Sequence, residues 1–104
     1  MYEKTKADLR AIIALLDSEN SAWSIHFKRA LSALEAGEYY HSGRIILSGS
    51  GGMGSLNDLV LGQSVDQNGK FSWKPNHKEL NSKYQELLDS LYGFARNIQR
   101  AANK

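Results

Sequence analysis

Apolar and polar positions follow a helical period through most of the chain. From Tyr2 to Glu19, residues Leu9, Ile12, Ile13 and Leu16 fall at the i, i+3, i+4, i+7 spacing of one helix face, with Ala11 and Ala14 between them and Arg10 on the other side. Asn20-Ser21 breaks the pattern and offers a cap for a second helix, Ala22 to Ala36, whose apolar face carries Trp23, Phe27, Ala30, Leu31 and Leu34. Gly37 stands just past its end, where a left-handed residue commonly closes a helix. So few residues join the two segments that an antiparallel helical hairpin is expected.

The middle of the chain is less periodic. Tyr39, Tyr40, Ile46 and Leu47 can line a short helix over 38–48, although Gly43 weakens it and Ile45-Ile46-Leu47 also suits a strand. The helix is the favoured reading. Farther on, Leu59-Val60-Leu61 and Phe71-Ser72-Trp73 flank Asn68-Gly69, a pair suited to a tight hairpin turn with positive backbone dihedrals. A two-stranded ribbon from Leu59 to Trp73 follows, and because such a ribbon is marginal alone it is expected to pack on the helices. A competing pattern starts a short helix at Ser55, where Ser55-Leu56-Asn57-Asp58 resembles a capping box.

Pro75-Asn76 then opens the last helix, whose apolar face runs Leu80, Tyr84, Leu87, Leu88, Leu91, Phe94, Ala95, Ile98 and Ala102. As the longest periodic run it is expected to be the central helix, with the others packed against it. The fold class expected is therefore mainly α. Residues 1–104 should form a single domain, a small bundle of three to four helices with a short two-stranded β-ribbon between the third and last helices.

Composition narrows the function classes. The 104 residues include no cysteine, which removes disulfide frameworks and thiolate metal sites. Thirteen Lys and Arg against 11 Asp and Glu give a net charge of +2, too weak and too scattered to imply nucleic acid. No apolar run reaches membrane-spanning length, and the run Ala11 to Leu16 is shorter than a secretory apolar segment, so no membrane partner and a cytoplasmic location are expected.

Motifs for chemistry fail on context. Gly49-Ser50-Gly51-Gly52-Met53-Gly54 satisfies the glycine pattern of dinucleotide-binding turns, yet two helices precede it, no parallel-strand pattern follows, and no Walker lysine comes after Gly54. Glu38-Tyr39-Tyr40-His41 has the Glu-x-x-His spacing of di-iron bundles, which need two such motifs. The three histidines, His26, His41 and His77, lie in three segments, and surface or capping roles are expected for them. Gly49-Ser50-Gly51 only approximates a nucleophile elbow, and Asp58 and Asp66 have no inferable proximity. The expectation is a chain that is not an enzyme and carries no cofactor or metal.

Aromatic residues offer a different kind of candidate. Trp23, Phe27, Tyr84 and Phe94 occupy core spacing, whereas Tyr39, Tyr40 and Trp73 stand near segment ends, where Tyr and Trp serve as interface anchors. The stretch Gly51-Gly52-Met53-Gly54-Ser55-Leu56-Asn57-Asp58-Leu59-Val60-Leu61 resembles the signature of a family of small bacterial proteins, GGMGS, one apolar residue, then NDLVL. The likeness extends to the tryptophan-led helix and to Leu91-Tyr92-Gly93-Phe94-Ala95 in the closing one.

The resemblance implies a protein-binding module of the immunity or antitoxin kind, whose partner is a cognate toxin domain with an acidic face, or one bound away from its active site. Candidate binding residues are Gly51, Gly52, Met53, Gly54, Ser55, Asn57, Asp58, Tyr39, Tyr40 and Trp73. Within the signature, glycine permits backbone conformations closed to other residues, Met53 can plug the turn, and Asn57 and Asp58 can bind free amides. A structural clasp between the helical hairpin and the ribbon is expected there. The alternative is a small-ligand or anion-binding protein using the loop 49–58.

Overall fold

The computed structural model describes residues 2–49, 56 and 59–102. Among these, each periodic stretch is a helix: α1 (Glu3–Ser18), α2 (Trp23–Glu35), α3 (Tyr39–Ser48) and α4 (His77–Ala102). Strands β1 (Gln63–Val65) and β2 (Phe71–Trp73) lie between α3 and α4. The fold is mainly helical with one short antiparallel ribbon, as the periodicity predicts.

Both early helices stop through the same backbone device. After α1, Asn20 turns left-handed (φ 56°), so that its N–H donates to the Asp17 carbonyl (3.1 Å) and the Ser21 N–H to that of Leu16 (2.9 Å). After α2, Gly37 does the same (φ 80°), with its N–H on Leu34 (3.1 Å) and that of Glu38 on Ala33 (2.9 Å). Each reversal satisfies end carbonyls that would otherwise lack donors. The Ser21 hydroxyl then accepts the Trp23 N–H (3.3 Å) at the start of α2.

The helices pack in a closed cycle, α1 on α2, α2 on α3, α3 on α4 and α4 on α1. The expectation that every helix packs on α4 is thus corrected: α2 sits diagonally opposite it. A helix carries apolar residues on a limited stripe, so α4 serves two neighbours and α1 and α3 bridge the rest. Leu9, Ile12 and Leu16 of α1 meet Phe27, Ala30 and Leu34 of α2, Ile46 of α3, and Leu88, Leu91 and Ala95 of α4 in one core. The helical reading of α3 holds because Ser42, fully buried, donates its hydroxyl to the Ala30 carbonyl (2.7 Å) and Gly43 lies against Ala95.

The ribbon departs from expectation in three ways. Leu59-Val60-Leu61 is not its first strand; β1 begins at Gln63. Leu61 is instead buried in the core, where both its backbone groups bond to the Asn81 side chain: the amide donates to Oδ1 (2.7 Å), and the carbonyl accepts from Nδ2 (2.9 Å). A side chain of α4 has taken the place of a neighbouring strand.

The turn differs as well. Gly69 alone has a positive φ (78°), and Asn68 does not. Asp66 organises the loop, its carboxylate accepting the N–H of Asn68 (2.9 Å) and of Lys70 (2.8 Å), while its carbonyl accepts that of Gly69 (3.0 Å). This is a three-residue loop of ordinary turn geometry closed by a left-handed glycine. Finally, every residue of both strands is exposed, and the ribbon meets the bundle at its base, where the Trp73 ring lies against His77 at the start of α4.

What joins ribbon to bundle is the segment before it. The Tyr84 hydroxyl donates to the Leu56 carbonyl (2.9 Å), and burial pushes that phenol well above its ordinary pKa, so it stays a donor. Gly62 has φ 84°, and a Cβ there would stand 2.8 Å from the His77 Cα and closer still to its Cβ. Its N–H donates to Glu19 Oε1 (2.8 Å) and its carbonyl accepts from the Lys74 N–H (2.7 Å).

Two substitutions test this junction. Gly62→Ala should lower unfolding free energy by about 1–3 kcal/mol through overpacking against α4 and an unfavourable φ. Asn81→Ala should cost about 1–3 kcal/mol by stranding the buried Leu61 amide and carbonyl. Urea unfolding followed by far-ultraviolet circular dichroism checks both, and an unchanged midpoint for either would remove it from the junction.

Candidate functional site

Strand pairing decides which ribbon residues share a face. Gln63 pairs with Trp73, Ser64 with Ser72 and Val65 with Phe71. Alternation along each strand then puts Val65, Phe71 and Trp73 on one face with Gln63, and the two serines on the other. The apolar face is open: Val65 is 65 % exposed, Phe71 48 % and Trp73 46 %. Val60, which leads into the ribbon, is also exposed.

The rings there are ordered by one another. Phe71 meets Trp73 edge-on at 5.1 Å between centroids, and Trp73 lies at 4.9 Å from the His77 ring on the first turn of α4. The His77 Nδ1 is 2.9 Å from the Lys74 carbonyl, which fixes the ring. Below them, the Lys74 ammonium donates to Glu19 Oε2 (2.8 Å), and that bond together with the Gly62 N–H holds the Glu19 carboxyl below its usual range. The result is an exposed apolar surface on a base tied to the ends of α1 and α4.

Of the candidate binding residues, Trp73 lies on this face. Tyr40 is exposed on α3, but Tyr39 is partly buried, meeting Tyr2 edge-on at 4.8 Å, while Tyr2 meets Phe94 at 5.3 Å. Tyr39 is a packing residue. Phe94 and His77 are separated by about 25 Å along α4, so the start of α3 and the ribbon form no common site. Gly51, Gly52, Met53, Gly54, Ser55, Asn57 and Asp58 lie outside the described residues, as does the short helix considered at Ser55. In the described part of that stretch, Leu56 is held by Tyr84 and Leu61 by Asn81, both side chains of α4. Val65 and Phe71 are not among the candidate binding residues of the sequence; the Asp66-x-Asn68-Gly69 turn holds the signal, since it sets the register that aligns them.

A polar cluster joins α1 to α4. The Ser90 hydroxyl donates to Asp8 Oδ2 (2.7 Å), and the Lys4 ammonium reaches the same oxygen (2.9 Å) and Ser90 Oγ (3.1 Å). A serine nucleophile would need a neutral amine as its base. Here the Lys4 side chain is 80 % exposed and forms an ion pair with Asp8. The cluster acts as a tie between helices. Among the described residues, no three His, Cys, Asp or Glu side chains gather as a metal site, and no helix is long and apolar enough to cross a membrane.

His26 is a partly buried titratable group close to Gly49. Its ring is edge-on to Trp23 (5.3 Å) and Phe27 (5.1 Å), and its Nε2 is buried without a hydrogen-bond partner among the described residues. Gly49 makes room chiefly for the Leu56 side chain, and a Cβ there would also stand 3.1 Å from that nitrogen.

A family model described as "Domain of unknown function (DUF6966)" matches residues 16–69, just over half of the 104-residue chain. The matched stretch runs from the end of α1 to the ribbon turn. No curated protein and no solved structure matches the chain.

Burial holds the His26 pKa below its ordinary 6.5, and the nearby Arg29 charge adds to this. The unfolded chain therefore takes up this proton more readily than the folded one. Stability from His26 is complete above pH 6.5 and declines as the pH falls from there towards the folded pKa. Urea midpoints at about pH 7.5 and 5.5 should fall for the natural chain and fall less for His26→Phe; equal losses would exclude His26 as the cause.

Proposed function

The chain belongs to the DUF6966 family of unknown function, and for it we propose a role as a protein-binding module that docks its partner through the apolar face of the ribbon. The observation carrying this reading is the alignment of Val65, Phe71 and Trp73, all exposed, on one face of a ribbon whose strands bury nothing in the core. Aromatic residues fixed in place bury large area at small entropic cost, which is the chemistry of interface anchors. Isolated exposed apolar residues are ordinary, whereas a contiguous set on a raised element marks a contact surface.

The partner class we propose is a cognate bacterial toxin domain, which the chain binds and neutralises inside the producing cell. The resemblance of the Gly51 to Leu61 stretch to a family of small bacterial proteins supports it, and the contact we propose is with an acidic face of the toxin or away from its active site. The binding mode needs no catalytic group on this chain.

The product of an adjacent gene, co-expressed with the chain, should elute with it as a one-to-one complex in size-exclusion chromatography. Phe71→Ser combined with Trp73→Ser should weaken that complex by about 30-fold or more, the effect of losing roughly 2 kcal/mol of anchor contact. The thermal midpoint should change little, because these side chains are not core. Full-strength binding by the double variant would overturn the ribbon as the docking face.

A further inference from the structure

A second surface lies on other elements. Between α2 and α3 runs an open groove of about 600 Å³. Its floor is apolar, formed by Ile25, Ala33 and Ile45, and Ile25 is 61 % exposed, the most open large hydrophobic side chain of the described helices. Its rim carries the cations Lys28 and Arg29 against the single carboxylate of Glu38, and His41 also lines it.

The rim cations are available. Arg29 makes no ion pair among the described residues. Lys28 shares only the half-exposed Asp17 at 3.3 Å, a surface pair that yields readily to a better partner. Along α2 the groove extends from Ile25 to Ala36, about 16 Å or three helical turns. Ser32, Ala33 and Ala36 are small, so another backbone can approach closely.

We infer that this groove docks an acidic amphipathic helix of a partner protein. Apolar side chains on one face of that helix cover Ile25 and Ile45, and carboxylates along its edges meet Lys28 and Arg29. The groove's length and openness suit a helix laid along it, and the excess of cations over anions selects a partner of negative charge. The inference uses none of the ribbon residues, so it stands or falls separately from docking there.

The test is a titration of the isotopically labelled full chain, read by amide chemical shifts. The probe is a synthetic amphipathic peptide of about four helical turns, leucine on one face and glutamate on the others, with a lysine-for-glutamate peptide as control. The glutamate peptide should shift amides in 25–36 and 38–45, and its binding should weaken on going from about 0.05 to about 0.5 M salt. Lys28→Glu combined with Arg29→Glu should weaken it about tenfold or more while circular dichroism stays unchanged. Phe71→Ser with Trp73→Ser should leave it intact. Equal binding of the lysine peptide, shifts confined to 63–73, or no binding at millimolar peptide would overturn the inference. So would a dimer of the chain abolished by Ile25→Asp, which would make a second copy the occupant.

Discussion

The structure depends on satisfying the backbone of one irregular segment. At Leu56 and Leu61 the chain passes against the core, and a buried amide or carbonyl without a partner is costly. Among the described residues no neighbouring strand serves these positions. Side chains do so instead: Tyr84 and Asn81 from α4, and Glu19 just beyond α1. These contacts join residues 20 to 43 positions apart, so they form only when α4 and the turn after α1 are in place. The ribbon's position outside the bundle follows directly, because the pinned segment releases the chain at Gly62 beside the start of α4.

The helices were legible because burial in a bundle imposes a period that a linear sequence displays. Leu9, Ile12 and Leu16 in α1, and Leu87, Leu88 and Leu91 in α4, are buried as their spacing predicts. Gly37 was equally readable, since the residue that closes α2 must adopt a left-handed backbone. Asn20 performs the same task after α1. The first strand was misplaced for a physical reason: Leu59-Val60-Leu61 has strand-like composition, but composition does not reveal that Asn81, 20 residues on from Leu61, supplies its hydrogen bonds. The open face of the ribbon was partly hidden, because exposure of Val65 and Phe71 is a property of what fails to cover them.

Two surfaces emerge, of unlike character. The ribbon presents aromatic rings on a short raised element, and the α2–α3 groove presents cations around an aliphatic floor. Residues 16–69, where the family model matches, take in the groove-forming parts of both helices and the first ribbon strand. They leave out α4, whose side chains hold that region in place. A stretch shared by the family is therefore completed, in this chain, by a helix beyond it.

The exposure of every strand residue has an evolutionary corollary. Since the ribbon adds little to cohesion of the interior, the fold itself places few demands on which side chains stand at 65, 71 and 73. Sequence can drift there without passing through unfolded intermediates.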